Sequence, residues 1–204
     1  MITIVDYGSG NINAITNIYK SLKINFEVAS TPEELSKAQK IILPGVGSFD
    51  FCMSKLNESG LIGVLNKKVL EEKIPVLGIC IGMHLMADSS EEGNLAGLGW
   101  IKGKVKKFDE NKLIHKPKLP HMGWNSVNVI SVPELFNGIN QEQGFYFIHS
   151  YFIEVEAHSN IMTTTNYGSS FTSGITSSNI YAVQFHPEKS HSNGMKLLKN
   201  FSDL

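Results

Sequence analysis

A sulfur and a histidine lie close together in Gly78-Ile79-Cys80-Ile81-Gly82-Met83-His84, at the end of an apolar run. The spacing Gly-x-nucleophile-x-Gly is that of an elbow. The glycines let a strand turn sharply into a helix and hold the central side chain at the tip of the sheet. In such a turn the N–H of Ile81 lies beside the sulfur and can donate to an oxyanion, and the positive end of the following helix favours a thiolate. A free cysteine on its own reads as a small buried apolar residue. The two flanking glycines and the apolar strand before them make Cys80 a nucleophile instead. Cys52 has no such setting and reads as structural.

A thiol nucleophile needs a base, and the base needs a group to orient it. In "YAVQFHPEKS", His186 closes a predicted buried strand at the C-terminal edge, where parallel sheets place their chemistry. Pro187 biases His186 toward extended backbone. Glu188 then projects to the same side, where a carboxylate can fix the imidazole tautomer. His84 is a second candidate base, because positions i and i+4 share a helix face. It lies a turn into the helix, however, whereas an elbow side chain points off the helix start, so His186 ranks first. "LPGVGSF" (43–49) offers Gly45, Val46 and Gly47 as backbone able to turn N–H groups toward an oxyanion, or else an ordinary glycine turn. Gly8-Ser9-Gly10 is not a dinucleotide fingerprint, since Asn13 occupies the place of the third glycine. The lysines of "KGKVKKF" (102–108) read as a solvated strand face.

The first half alternates strand-like and helix-like segments that would position these groups. Strands are expected at 2–7, 26–30, 40–49 (breaking at Pro44-Gly45) and 74–80, with helices at 11–23 and 50–72. Thr31-Pro32-Glu33-Glu34 is a helix start, with Thr31 as N-cap and Glu34 closing a capping box. A helix-like "GMHLMADSS" follows Cys80. The texture then changes: exposed strands in 98–108 and 116–130, an aromatic and β-branched run at 144–157, a hairpin and a further buried strand within 169–190, and a closing helix with Met195, Leu198 and Phe201 on one face. The expected fold class is α/β, an open and mostly parallel central sheet flanked by helices, with an antiparallel β-rich portion in the second half. No linker or repeat divides the chain, so residues 1–204 are expected to form a single domain.

With 204 residues, 42% hydrophobic and 18% charged, the chain has the composition of a soluble globular protein. Its formal charge of −1, from 18 basic and 19 acidic residues, argues against a nucleic-acid partner. Two cysteines do not make a disulfide framework, and a reducing compartment follows. The N-terminus has neither a basic region nor a long apolar one, and no run has the length of a membrane span, so the expected location is the cytoplasm, with no membrane partner.

Taken together, the motifs resemble the class I glutamine amidotransferases. The resemblance runs through "DYGSGN", "LPGVGSF", "GICIGM", "SSEEG", "GLGW", "PHMGWN", "HSY" and "VQFHPEKS". Within that class the chain is similar to glutaminase subunits of the histidine-biosynthesis synthase that makes imidazole glycerol phosphate and AICAR. The resemblance implies a triad of Cys80, His186 and Glu188 acting on L-glutamine. It implies an oxyanion held by the Gly45–Gly47 loop and Ile81, and glutamine contacts from Glu92, His149, Ser150 and Tyr151. The loop matching Pro44–Gly47 would flip a peptide when the partner binds its own substrate. No cofactor and no metal are called for. The family usually has Gln at the substrate contact where this chain has His84.

On this resemblance an amidotransferase domain would use up the chain, so the ammonia acceptor is expected on a second chain. The resemblance implies a heterodimer with a (β/α)8-barrel synthase subunit, fed through a tunnel. Asn11, Met122 and Trp124 are the candidate partner contacts, with Trp124 alternatively in the core. Three other readings compete. One is a paralogous glutaminase that feeds amidination of a surface-polysaccharide sugar. Another is a partner-independent cysteine-elbow hydrolase or chaperone-like protein, and the last is a catalytically dead binding subunit. The His-Pro-Glu segment and "PHMGWN" count against the second, and the intact triad against the third.

Overall fold

The computed structural model describes residues 1–113 and 118–204. Its centre is a parallel sheet in the order β2 (Phe26–Ala29), β1 (Ile2–Val5), β3 (Ile41–Gly45), β4 (Val76–Cys80) and β13 (Ile180–Val183). β1, β3 and β4 are buried along their whole length, as strands covered on both faces must be. Helices α1 (Ile12–Leu22) and α6 (His191–Asp203) pack together, with the Tyr19 hydroxyl donating to the Leu198 carbonyl at 3.2 Å. Each buries a stripe at helical spacing: Ile15 and Tyr19 from α1, and Leu197, Leu198 and Phe201 from α6. The short α2 (Pro32–Leu35) opens with the expected capping box, in which the Thr31 side chain accepts from the Glu34 amide and the Glu34 carboxylate accepts from Thr31 N–H.

Beyond β13 the sheet turns antiparallel. β12 (Ser169–Ser177) pairs β13, β10 (Tyr151–Val155) pairs β12, and β6 (Gly103–Lys107) pairs β10; β5 (Ser89–Ser90) closes this edge alongside β6. β11 (Ile161–Tyr167) branches off β12 and carries β8 (Asn128–Val129). A separate two-stranded sheet joins β7 (His121–Asn125) to β9 (Phe145–His149). The fold class is therefore the one expected: α/β, mostly parallel at its centre, with antiparallel strands from the second half.

Several expected boundaries shift for identifiable reasons. β3 does not break at Pro44-Gly45 but runs through it, pairing Pro44 with Ile79 and Gly45 with Cys80. Ile41 donates toward the β4 side, so Pro44 faces β1, whose pairing ends at Ile42, and no ladder bond is lost. The helix expected at 50–72 is interrupted. α3 (Phe49–Glu58) stops before Gly60 at φ 72°, and α4 (Ile62–Asn66) continues into a π-helical turn, Lys67–Glu71. The run 144–157 is two strands, because the chain leaves the β7–β9 sheet at Ser150 and enters the main sheet as β10. The hairpin in 169–190 is β12 with β13, so the buried strand is its second arm rather than a further one. The helix after Cys80, α5 (Ile81–His84), is only four residues long. Of the segment 116–130, residues 116 and 117 lie outside the described residues. Among the described residues, no helix is long and apolar enough to cross a membrane.

The glycines of the elbow are held to that residue type by close packing. A Cβ at Gly82 would run into the Leu43 carbonyl oxygen of β3, and one at Gly78 would sit 2.8 Å from Met86 Cε. Gly63 in α4, by contrast, has nothing within 4 Å of such a Cβ. Gly82→Ala should therefore lower urea-unfolding stability by about 1–3 kcal/mol through overpacking. Gly63→Ala should leave it unchanged or raise it by up to about 1 kcal/mol. Equal effects of the two substitutions would contradict this packing account.

Candidate active site

β4 ends at the sulfur. Cys80 has φ 53° and ψ −110°, a conformation that costs a non-glycine residue about 1–3 kcal/mol and persists only where its surroundings impose it. The imposition comes from both sides: Gly82 presses against β3, and β4 is flanked by β3 and β13. The side chain is 4% exposed, at the floor of a cavity of about 370 Å³.

His186 arrives from the other flank, just past β13. Its Nδ1 bonds Glu188 Oε1 at 2.8 Å, leaving Nε2 for the Cys80 sulfur. Burial alone would lower the imidazole's pKa. The nearby Cys80 and the Glu188 carboxylate together outweigh burial and push it up to about 10. The ring is thus favoured in its charged form in the cavity that Cys80 also lines, with both side chains of the His-Glu pair 2% exposed. The pairing arises differently from the expectation. Pro187–Lys189 is a 3-10 turn rather than extended chain, and the tight turn is what brings the two side chains together. The helix dipole expected to favour a thiolate is also weak, since α5 has four residues. The imidazolium is the larger positive charge.

His84 does not face the sulfur through any hydrogen bond of its own. It is fully enclosed, its Nε2 lies 2.6 Å from Gln184 Oε1, and burial lowers its pKa to about 4 despite that bond. A ring that resists protonation at neutral pH and points at an amide is poorly placed as the base. Gln184 went unnoticed among the candidates. It is fully buried, and its Nε2 lies 3.8 Å from Cys80 Sγ. The available signal was a polar side chain inside the buried strand-end run "YAVQF".

The oxyanion candidates flank the sulfur on the β3 side. Ile81, Val46 and Gly47 line the cavity, whereas Gly45 is buried within β3 behind them. The Val46 peptide is tied back: its N–H donates to Ser9 Oγ at 3.1 Å, and the Ser9 hydroxyl donates to the Val46 carbonyl at 2.8 Å. Cys52 is buried beside this latch, with its sulfur 3.2 Å from Ser9 Oγ. In this state the Val46 amide is engaged by Ser9 rather than offered to the cavity.

The remaining wall brings together Glu92, His149, Ser150 and Tyr151, with Pro120, Ile148 and Lys189, which sequence reasoning did not single out. The Glu92 carboxylate accepts from the Phe49 amide at 2.9 Å and so caps α3 from a distant loop; burial raises its pKa. His149 Nδ1 bonds the Tyr151 carbonyl at 2.7 Å and its Nε2 meets His121 Nδ1 at 2.9 Å, and burial holds its pKa well below the ordinary value. Asn11 is the half-exposed N-cap of α1, outside the cavity lining. Met122 and Trp124 are 58% and 43% exposed, so Trp124 is not a core residue. It stacks on His191, with ring centres 5.2 Å apart.

Residues 3–203 match the family described as Glutamine amidotransferase class-I. The chain belongs to the class-I glutamine amidotransferases. Relatives of this amidotransferase include a Methanococcus maripaludis protein named Imidazole glycerol phosphate synthase subunit HisH 2, 52% identical over 98% of both chains. A Bdellovibrio bacteriovorus protein named Imidazole glycerol phosphate synthase subunit HisH is 50% identical over the full length of both. Among solved structures, one described as a glutamine amidotransferase superposes with TM-score 0.72 at 17% identity, covering 100% of this chain and 98% of that one. PurLQS from Thermotoga maritima superposes with TM-score 0.70 at 19% identity, covering 99% and 97%. At those identities the superpositions speak to the fold alone.

The enclosed His84 gives the amidotransferase a pH signature. Its folded pKa of about 4 lies below the ordinary 6.5, so between these values the unfolded chain takes up a proton that the folded chain does not. The stability it contributes is present in full above pH 6.5 and is lost as pH falls through about 4. The thermal midpoint should therefore fall on acidification across this window, and fall less steeply in His84→Gln, with His149 accounting for part of the remaining slope. Identical slopes for the two proteins would contradict the assignment.

Proposed function

We propose that this chain is the glutaminase subunit of an imidazole glycerol phosphate synthase, with Cys80, His186 and Glu188 as its reacting triad. The observation that carries the proposal is one buried histidine whose Nδ1 is held by Glu188 Oε1 at 2.8 Å and whose Nε2, with no hydrogen-bond partner among the described residues, lies in the cavity that Cys80 also lines. Full-length identity of about half to proteins named as subunits of that synthase supports the choice of system.

Cys80 sulfur attacks the side-chain amide carbon of L-glutamine, and the carbonyl oxygen becomes an oxyanion. The Ile81 N–H lies beside the sulfur to receive it, and the Val46–Gly47 backbone supplies a second donor once the Val46 peptide leaves Ser9. His186 gives its proton to the departing nitrogen, and ammonia leaves a γ-glutamyl thioester on Cys80. His186 then takes a proton from the water that attacks the thioester, glutamate forms, and Cys80 leaves as the thiolate beside the recharged imidazolium. Glu188 holds the ring and stabilises the imidazolium at both stages. Glu92, His149, Ser150 and Tyr151 form the wall against which glutamine is held. No metal or cofactor takes part in these steps.

Ammonia released into water is largely protonated and lost as a nucleophile, so the acceptor must dock over the site. The partner is a (β/α)8-barrel synthase subunit, with Asn11 and the exposed Met122 and Trp124 as its candidate contacts. The Ser9 latch then gives a means of coupling, because a partner that draws Val46 away from Ser9 frees its amide for the oxyanion.

Purified chain should show low glutaminase activity alone and strong stimulation by a barrel partner with its acceptor substrate. Cys80→Ala should have none, and Glu188→Gln should fall by about 10²–10⁴-fold. Activity surviving in Cys80→Ala would overturn the triad. Rescue of a histidine auxotroph tests the pathway, and failure to rescue alongside stimulation by a different barrel would assign the chain to another amidation. Ser9→Ala should raise partner-independent activity by about 2- to 10-fold, the equivalent of one net hydrogen bond. Unchanged basal activity would remove the latch from the account.

A further inference from the structure

Gln184 is a fully buried amide between Val183 and Phe185, both of which are fully buried as well. A primary amide enclosed in apolar surroundings must satisfy both its ends or destabilise the fold. Its backbone N–H is accounted for, donating to the Ser173 carbonyl at 2.9 Å. Among the described residues its side chain reaches two groups: Oε1 meets His84 Nε2 at 2.6 Å, and Nε2 lies 3.8 Å from Cys80 Sγ. At 2.6 Å two facing lone pairs would repel, so His84 carries its proton on Nε2 and donates it. His84 Nδ1, which has no hydrogen-bond partner among the described residues, is then the bare nitrogen.

The direction of this chain has a chemical consequence. With its oxygen taken by His84, the amide presents N–H to the sulfur, and a hydrogen bond from N–H strengthens when the acceptor is an anion. Turned the other way, the amide would present its oxygen, favouring a protonated thiol and repelling a thiolate. We propose that Gln184 is a positioning residue for the nucleophile: its amide N–H steadies the Cys80 sulfur as an anion, and His84 fixes the amide so that this end faces the sulfur. The proposal rests on Cys80 being the nucleophile. It gives the departure at His84 a role toward the sulfur, separate from any contact with glutamine. The other titratable groups around the sulfur are His186 with Glu188 behind it, Tyr7 and Cys52 from the β1 and α3 sides, and Glu92, His149, Tyr151 and Lys189 on the cavity wall. None of them is altered in the variants below.

The test is the pH profile of iodoacetamide alkylation, between about pH 5 and pH 9, read by mass spectrometry at the peptide containing Cys80. Alkylation follows the thiolate fraction. Gln184→Met, near in volume and without a donor, should slow alkylation on the acid limb about tenfold, a shift of about one pH unit. In the full complex kcat should fall while the glutamine KM stays within about twofold. His84→Leu should shift the profile the same way, and His84→Gln should restore it, because an amide N–H can replace the imidazole N–H. Superimposable profiles for wild type and a folded Gln184→Met overturn the proposal. Should circular dichroism show Gln184→Met unfolded, His84→Leu and His84→Gln decide it, and identical profiles for that pair overturn it equally. Failure of the underlying triad looks different: Cys80→Ala would then keep its glutaminase activity.

Discussion

At Cys80 the backbone takes a left-handed turn, φ 53°, that an L-residue adopts only under compulsion. The compulsion is the seating of Gly82 against the β3 carbonyl of Leu43, where any side chain would collide. Much else in the site follows from that contact. It ends β4 at the sulfur and starts α5 beside it. It also brings the Ile81 backbone to the cavity and lets β3 and β13 flank Cys80 at the same sheet edge. Strand order β3-β4-β13 then delivers the Val46–Gly47 loop on one side and His186 on the other. Three segments far apart in the chain meet because the sheet is parallel there and its C-terminal ends coincide.

The electrostatics are arranged around the same sulfur. An imidazole this buried should be neutral, as His84 and His149 are. His186 departs from that pattern because Cys80 and Glu188 bracket it, and one buried histidine is held charged while its neighbours are held uncharged. The contrast divides the labour among the histidines. A charged ring can exchange protons with the sulfur and the leaving nitrogen, whereas a neutral ring can direct hydrogen bonds without competing for the proton. The Ser9 hydroxyl adds a third element, engaging the Val46 peptide until something draws it away.

Much of this was legible in the residues, and the gaps have physical causes. Helical spacing placed α1 and α6, and Thr31 and Glu34 announced their capping box. Glycines around Cys80 marked the elbow because so few residue types tolerate that packing. The single helix expected at 50–72 was not there, since Gly60 ends α3 and spacing alone does not show which glycine will terminate a helix. Aromatic and β-branched residues at 144–157 signalled strand, but propensity does not say which sheet a strand joins, and Ser150 divides the run between two. His186 and Glu188 were paired for a reason that did not hold, extended chain, and meet through a 3-10 turn instead. Gln184 and the Ser9 latch were invisible as function, because each acts through a partner brought close only by folding.

The central claim is that Cys80 becomes acylated by glutamine. The direct measurement is rapid-quench mass spectrometry of the chain with its barrel partner, acceptor substrate and excess glutamine. The account predicts a transient γ-glutamyl adduct on the peptide containing Cys80, formed and lost at rates that match turnover. An adduct confined to Cys52, or full turnover with no acylation of Cys80, would contradict it.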